Sequence, residues 1–327
     1  MPKLFRVTAL QGVLAVFLMC SFSMAQDVDK KESAKDLAAE KLDQYLIEME
    51  ELADWGYFFS GDVTQVLSQQ KFSGSFPYIG FQSMQLQDSS GKTRERFWQV
   101  NSRTTDPTMF SGVGYDELLI GEDRWFSLAG GQIKKYEPKK DRKFERKFMT
   151  LDPRTAVLHF AGAVTSGLTS DREFKKYINR RTLTNAEKKL GGIDAVFSIN
   201  ETWIHVFFNE SQGYMPTRMA ATSEGQELSR DLTNARHVAR MRWKKMNTGI
   251  WAPEYGENIS YFGGNASDYT KIKRVNYRVV WIPKSELPKN AFDKDSLSSL
   301  PGIIMERSKS WMKTAEKIKP LSDVDQL

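Results

Sequence analysis

From Tyr57 to Tyr136 the chain is cut into short segments whose apolar residues recur at every second position. That period sends alternate side chains to opposite faces of a strand and leaves no helical stripe to bury, so this region must form sheet. The segments are 57–66, 79–87, 94–101, 118–120, 124–128 and 133–136. Between them stand Asp88-Ser-Ser-Gly91, Asp106-Pro107, Gly121-Glu-Asp123 and Gly130-Gly131, all turn-forming groups. Short strands joined directly by turns predict an antiparallel meander rather than alternating βα units.

The period returns after residue 192, with strands expected at 195–200, 203–208, 217–222, 237–245, 257–262 and 272–281. Trp203-Ile-His-Val-Phe-Phe208 is apolar on both faces and is predicted to be central and covered on both sides, with Trp203 and Phe207 on one face and Ile204, Val206 and Phe208 on the other. The strand 237–245 alternates cleanly. Arg240, Arg242 and Lys244 point one way and Ala239, Met241 and Trp243 the other, which predicts one wet face.

Two helical regions interrupt the sheet pattern. From Ser33, the residues Leu42, Tyr45, Leu46, Met49, Leu52 and Ala53 fall at helical spacing, and Gly56 ends the run. A helix of this kind must lay its stripe on a sheet. Between 152 and 192, Asp152-Pro153 and Ser170-Asp-Arg-Glu173 open two short helices, and Thr184-Asn-Ala-Glu187 reads as the cap of a third that stops at Gly191-Gly192. The fold class expected from the residues is α+β: an antiparallel sheet with helices laid against it.

The first residues carry an address. Lys3 and Arg6 precede an apolar run from Val7 to Phe22, and Ser23-Met24-Ala25 supplies the small residues that a signal peptidase accepts. The run is shorter than the roughly 20 residues needed to span a bilayer, so 1–25 is expected to be a cleaved signal peptide, with no membrane span left after cleavage. Residues 26–35 read as a disordered leader, 36–283 as the domain that carries the sheet, with a helical insert at about 152–192, and 284–327 as an extension with a short helix near 303–313. The protein is expected in the periplasm or cell envelope.

Composition then excludes several classes. The single cysteine, Cys20, lies in the signal, which removes thiol catalysis, disulfides and cysteine metal sites. Loss of Lys3 and Arg6 takes the formal charge of +6 down to +4, a mildly basic balance, and export argues against nucleic acid as a partner. Neither a Gly-x-Ser-x-Gly elbow nor a His-Glu-x-x-His helix occurs. His159, His205 and His237 lie on three separate elements without ligand spacing, so no metal or cofactor is expected. Adjacent acids such as Asp116-Glu117 and Glu122-Asp123 leave hydrolysis of an envelope polymer as the least favoured reading.

Two residue sets remain. Aromatic residues make up 12% of the chain, and the strands concentrate them. Phe58, Trp98, Trp125, Phe126, Trp203, Phe207, Met219, Met241, Trp243 and Tyr277 are candidates to line a cavity for an apolar ligand; their plainer role is an ordinary packed core. The basic run from Lys134 to Lys147, with Lys139, Lys140 and Lys143, and the strand face Arg240, Arg242 and Lys244 are candidates for contact with an envelope protein or lipid surface. For the run, a solvated mixed-charge hairpin is the plainer reading.

Three motifs carry a resemblance. Tyr115-Asp-Glu-Leu-Leu-Ile-Gly-Glu-Asp-Arg-Trp125 with Gly131 and Tyr136, Asn209-x-x-x-Gly213-x-x-Pro216-x-Arg218, and Gly249-x-Trp251-x-Pro253 resemble the hairpin, turn and strand entry of the outer-membrane lipoprotein-sorting carriers, the LolA/LolB-like group. The resemblance covers 37–281. It implies a curved antiparallel sheet, an open half-barrel with helices covering its concave side, whose hydrophobic concavity takes acyl chains, with a lipid or lipoprotein as partner, and no catalytic residue. The chain is longer than the compact carriers, and its insert at 152–192 has no counterpart in them.

Overall fold

The computed structural model describes residues 33–67, 79–87, 92–101, 115–120, 123–128, 134–135, 153–154, 178–287, 291–293 and 310–321. The expected signal peptide, nearly all of the leader, the first two insert helices, His159 and Lys139, Lys140 and Lys143 lie outside the described residues.

Helix α1, Ala34–Glu51, is capped by Ser33, whose hydroxyl accepts from the Asp36 amide; a 3₁₀ turn, Leu52–Asp54, then leads into the sheet. The strands are β1 Gly56–Leu67, β2 Ile79–Gln87, β3 Thr93–Asn101, β4 Tyr115–Ile120, β5 Asp123–Leu128 and β6 Lys134–Lys135, followed by β7 Leu183–Lys189, β8 Gly192–Ile199, β9 Thr202–Asn209, β10 Met215–Ser223, β11 His237–Lys245, β12 Trp251–Phe262 and β13 Lys271–Ile282. Among the described residues they make one 13-stranded antiparallel sheet, in the order β6-β5-β4-β3-β2-β1-β13-β12-β11-β10-β9-β8-β7. Each neighbour is the next strand in sequence except at β1–β13, where the two ends of the meander pair over the whole length of both strands. The sheet is curved and not closed, an open half-barrel.

Leu183–Lys189 corrects the sequence reading, which placed a third helix there. It is the edge strand β7, paired to β8, with Leu183 buried and most of the rest exposed. A charged, short edge strand resists pairing with other chains, and that composition mimics a helix cap.

Helix α1 lies across the inner face, packed against β7, β8 and β10. Leu42, Tyr45 and Met49 are buried there with Ile204, Val206 and Phe208 of β9 and Phe197 of β8, and Leu46 is partly buried against the same cluster. The Tyr45 hydroxyl donates to the Arg154 carbonyl at 2.8 Å, which ties the start of the insert to the helix. A second helix, 310–317, covers the face opposite to α1. Trp311 and Ala315 bury against Phe58 of β1, Leu86 of β2 and Ile282 of β13.

Candidate functional site

The inner face under α1 is apolar and rich in methionine. Met49 of the helix and Met215, Met219 and Met241 of the sheet belong to one buried cluster, with Met246 partly buried against it. Methionine is unbranched and polarizable, so such a surface can repack around ligands of different shape. Aromatic rings frame it: Tyr45 sits edge-on to Trp243 at 5.8 Å, Phe59 stacks on Tyr277 at 4.9 Å, and Tyr57 meets Trp281 edge-on at 5.7 Å. Gly256 lies beside Tyr277 in the register, and a Cβ there would run into the phenol ring. Burial pushes the Tyr277 phenol far above its ordinary value, so it stays neutral.

One end of this face is polar. Asn258 is 1% exposed, and neither amide atom reaches hydrogen-bond geometry with a described residue, although the side chain lies beside the Tyr277 hydroxyl. His237 Nδ1 shares a 3.0 Å hydrogen bond with the Ser260 hydroxyl. Register places His237 opposite Ser260, and Ala239 opposite Asn258. The inner face therefore runs from thioethers and rings to an amide, an imidazole and a hydroxyl.

The outer face of the same strands is built on charge. Asp194, Phe207, Arg218, Arg240, Glu257 and Asn276 occupy one register row across β8 to β13. Glu257 pairs with Arg240 at 3.5 Å and with Arg274 at 3.3 Å. The Arg218 guanidinium lies over the Phe207 ring at 5.3 Å. Burial raises the Asp194 carboxyl, against a pull down from Arg218, and burial lowers both His205 and Arg218. His205 Nε2 lies 3.2 Å from the Thr222 hydroxyl, whose own proton goes to the Gln226 carbonyl; the ring nitrogen is therefore the donor of that pair.

The motif residues meet at one junction. Asn209 caps a short turn by accepting from the Ser211 amide, and Gly213 follows at φ +67, where a Cβ would strike the Trp251 indole. Gln212 Oε1 accepts from the Trp243 amide at 2.7 Å, the Trp243 indole donates to the Pro216 carbonyl at 2.9 Å, and Glu48 of α1 accepts from the Trp251 amide at 2.7 Å. These contacts lock two turns and the helix together, which is a folding role.

The candidate residues separate accordingly. Met219, Met241, Trp243 and Tyr277 are on the inner face, within the cluster under α1. Phe58 belongs to the opposite cluster, at 6.2 Å from Trp311. Trp203 and Phe207 are half-buried on the outer face, away from the helix, so β9 is central but its outer side is only partly covered. Trp125 is half-buried in β5 with the Lys135 ammonium 5.7 Å from its ring; Trp98 lies in β3 and Phe126 in β5. The expected wet face of β11 is corrected. Arg240 is only 18% exposed and ion-paired, and Arg242 bonds Glu254 and the carbonyls of Lys319 and Pro320; Lys244 alone is open, at 65%. Sequence reasoning missed Asn258, His237 and Ser260 as neighbours, because only strand register brings them together.

Among the described residues, no cluster of His, Cys, Asp or Glu has the arrangement of a metal site, and no helix is long and apolar enough to cross a membrane. No family model matches the chain, and no curated protein matches it. Solved structures do. The chain is similar to a putative outer membrane lipoprotein-sorting protein domain from Vibrio parahaemolyticus, at 12% identity and TM-score 0.41, over 81% of this chain and 99% of that one. It is similar to a porin-like protein from Bacteroides uniformis at 10% identity and TM-score 0.25, over 68% and 97%. It is similar to MucB in complex with MucA(peri) at 10% identity and TM-score 0.20, over 74% and 93%.

Proposed function

We propose that this is an exported, non-enzymatic protein of the periplasm or cell envelope that binds a lipid acyl chain, or another apolar ligand, between α1 and the inner face of the sheet. The observation that supports the reading is the set of methionines, Met49, Met215, Met219 and Met241, in the buried cluster that α1 shares with the inner face of an open sheet. Adaptable thioethers suit chains of varied length better than a rigid aliphatic core does. Extraction of the protein purified from its native host, followed by lipid mass spectrometry, should recover acyl lipids at a stoichiometric level. Recovery of none, together with no binding of a fluorescent fatty acid, would refute the proposal.

A second reading, an envelope interaction module, draws on a different surface. The solvent side of α1 exposes Ile47, 57% accessible, among Glu40, Asp43, Glu48 and Glu51. An apolar residue ringed by acids fits a basic protein partner. Ile47→Asp should then reduce capture of the protein by envelope fractions without changing lipid content, and unchanged capture would dismiss this reading.

A further inference from the structure

The sheet has a split in it. β12 remains paired with β11 down to Lys245–Trp251, but its pairing with β13 stops at Tyr255–Arg278. Beyond that point β13 follows β1 alone, as far as Gly56–Ile282. The split begins where Pro253 brings no N–H to the ladder and the β11–β12 register shifts between Arg242 and Trp243. The Trp281 indole bridges the gap by donating to the Pro253 carbonyl at 2.8 Å.

A groove of about 570 Å³ occupies this split. Its floor includes Met246, Ala252 and Val279, which belong to the inner-face cluster under α1 or pack against it. Its outer rim carries Arg242, Lys244, Lys317 and Lys319 against one acid, Glu254. Arg242 is held in place by Glu254 and by the carbonyls of Lys319 and Pro320, and Arg278 donates to the Ile318 carbonyl at 3.0 Å. These bonds fix the end of the 310–317 helix over the groove. Lys317 and Lys319 are exposed and have no ion pair among the described residues. The groove thus joins a cationic rim outside to an apolar core inside.

We propose that this seam admits and holds an anionic amphiphile with a phosphate headgroup: Lys317, Lys319 and Lys244 hold the phosphate, and the chain passes beside Trp281 and Met246 toward the methionine cluster. Charge complementarity selects the occupant, since a neutral chain gains nothing from the rim. The inference rests on the acyl-binding reading above and adds a headgroup and a route to it.

The test uses the full chain and monomeric 1-myristoyl lysophosphatidylglycerol, with 1-myristoylglycerol as the uncharged control of equal chain length. The double variant Lys317→Glu/Lys319→Glu changes two exposed side chains and should melt like the wild type. It should bind the lysophospholipid about tenfold or more weakly and the glyceride unchanged. Added salt should weaken only the lysophospholipid. If both ligands bind the wild type and the variant equally well, the seam is not a headgroup site, and the acyl-binding reading survives without it. If neither ligand binds the wild type, both proposals fail. If millimolar inorganic phosphate displaces the lysophospholipid completely, the rim reads a free anion, and the amphiphile route is overturned.

Discussion

The two faces of β8 to β13 are made by the same strands and differ in nearly every physical respect. Inward, Met219, Met241, Trp243 and Tyr277 form a buried surface of thioethers and rings beneath α1. Outward, Arg218, Arg240 and Glu257 form a charged row, held by ion pairs and by an arginine lying on Phe207. The inner face draws its stability from burial. The outer face depends on fixed partners at fixed positions, because a desolvated charge left unpaired is costly. The difference fits the proposed function, in which ligand contacts vary while the frame does not.

The sharpest contrast is between adjacent phenylalanines of β9. Phe208 is fully buried inward, so Phe208→Ala should cost about 3–5 kcal/mol of unfolding free energy in urea titration. Phe207 is half-buried outward under Arg218, and Phe207→Ala should cost about 1 kcal/mol. Equal costs would erase the distinction between the faces. Next in size is Glu257→Gln, which leaves Arg240 and Arg274 without their carboxylate; a loss of about 2 kcal/mol is expected, and a double-mutant cycle with Arg240→Met should recover part of it. Gly256→Ala should cost about 1–3 kcal/mol through its encounter with Tyr277, seen as a lowered Tm, and Tyr277→Leu should relieve part of the penalty.

The smallest effects are pH-dependent and of opposite sign. Burial raises Asp194 in the fold, so its contribution is present below the ordinary carboxyl value and is lost as pH rises through the folded value. Burial lowers His205, so its contribution is present above the ordinary imidazole value and is lost as pH falls through the folded value. In stability measured against pH, Asp194→Asn should remove the loss on the rising side and His205→Gln the loss on the falling side. A profile that neither variant alters would mean that the outer row is not desolvated.

Much of the frame was legible in the chain. The strands at 79–87 and 237–245 have the boundaries expected from their period, and Ser33 caps the first helix. β7 was not legible, because an edge strand with one buried residue carries helix-cap chemistry on its surface. The face of β11 reads as wet in the sequence because two of the partners of Arg242, the carbonyls of Lys319 and Pro320, lie 77 and 78 residues away. The polar end at Asn258, His237 and Ser260 is likewise a product of register between β11 and β12, and no local pattern announces it. Aromatic content marks the strands but not the side: Trp243 and Tyr277 face the helix, whereas Trp203 and Phe207 face away from it.

Methyl NMR of protein labelled at its methionines, titrated with monomeric myristate, tests the central claim most directly. The resonances of Met215, Met219 and Met241, assigned by single Met→Leu variants, should shift together and saturate at one equivalent. Met312, packed with the outer cluster at Trp311, should stay where it is. A titration that moves Met312 alone, or none of the four, would contradict the claim that the inner face is the ligand site.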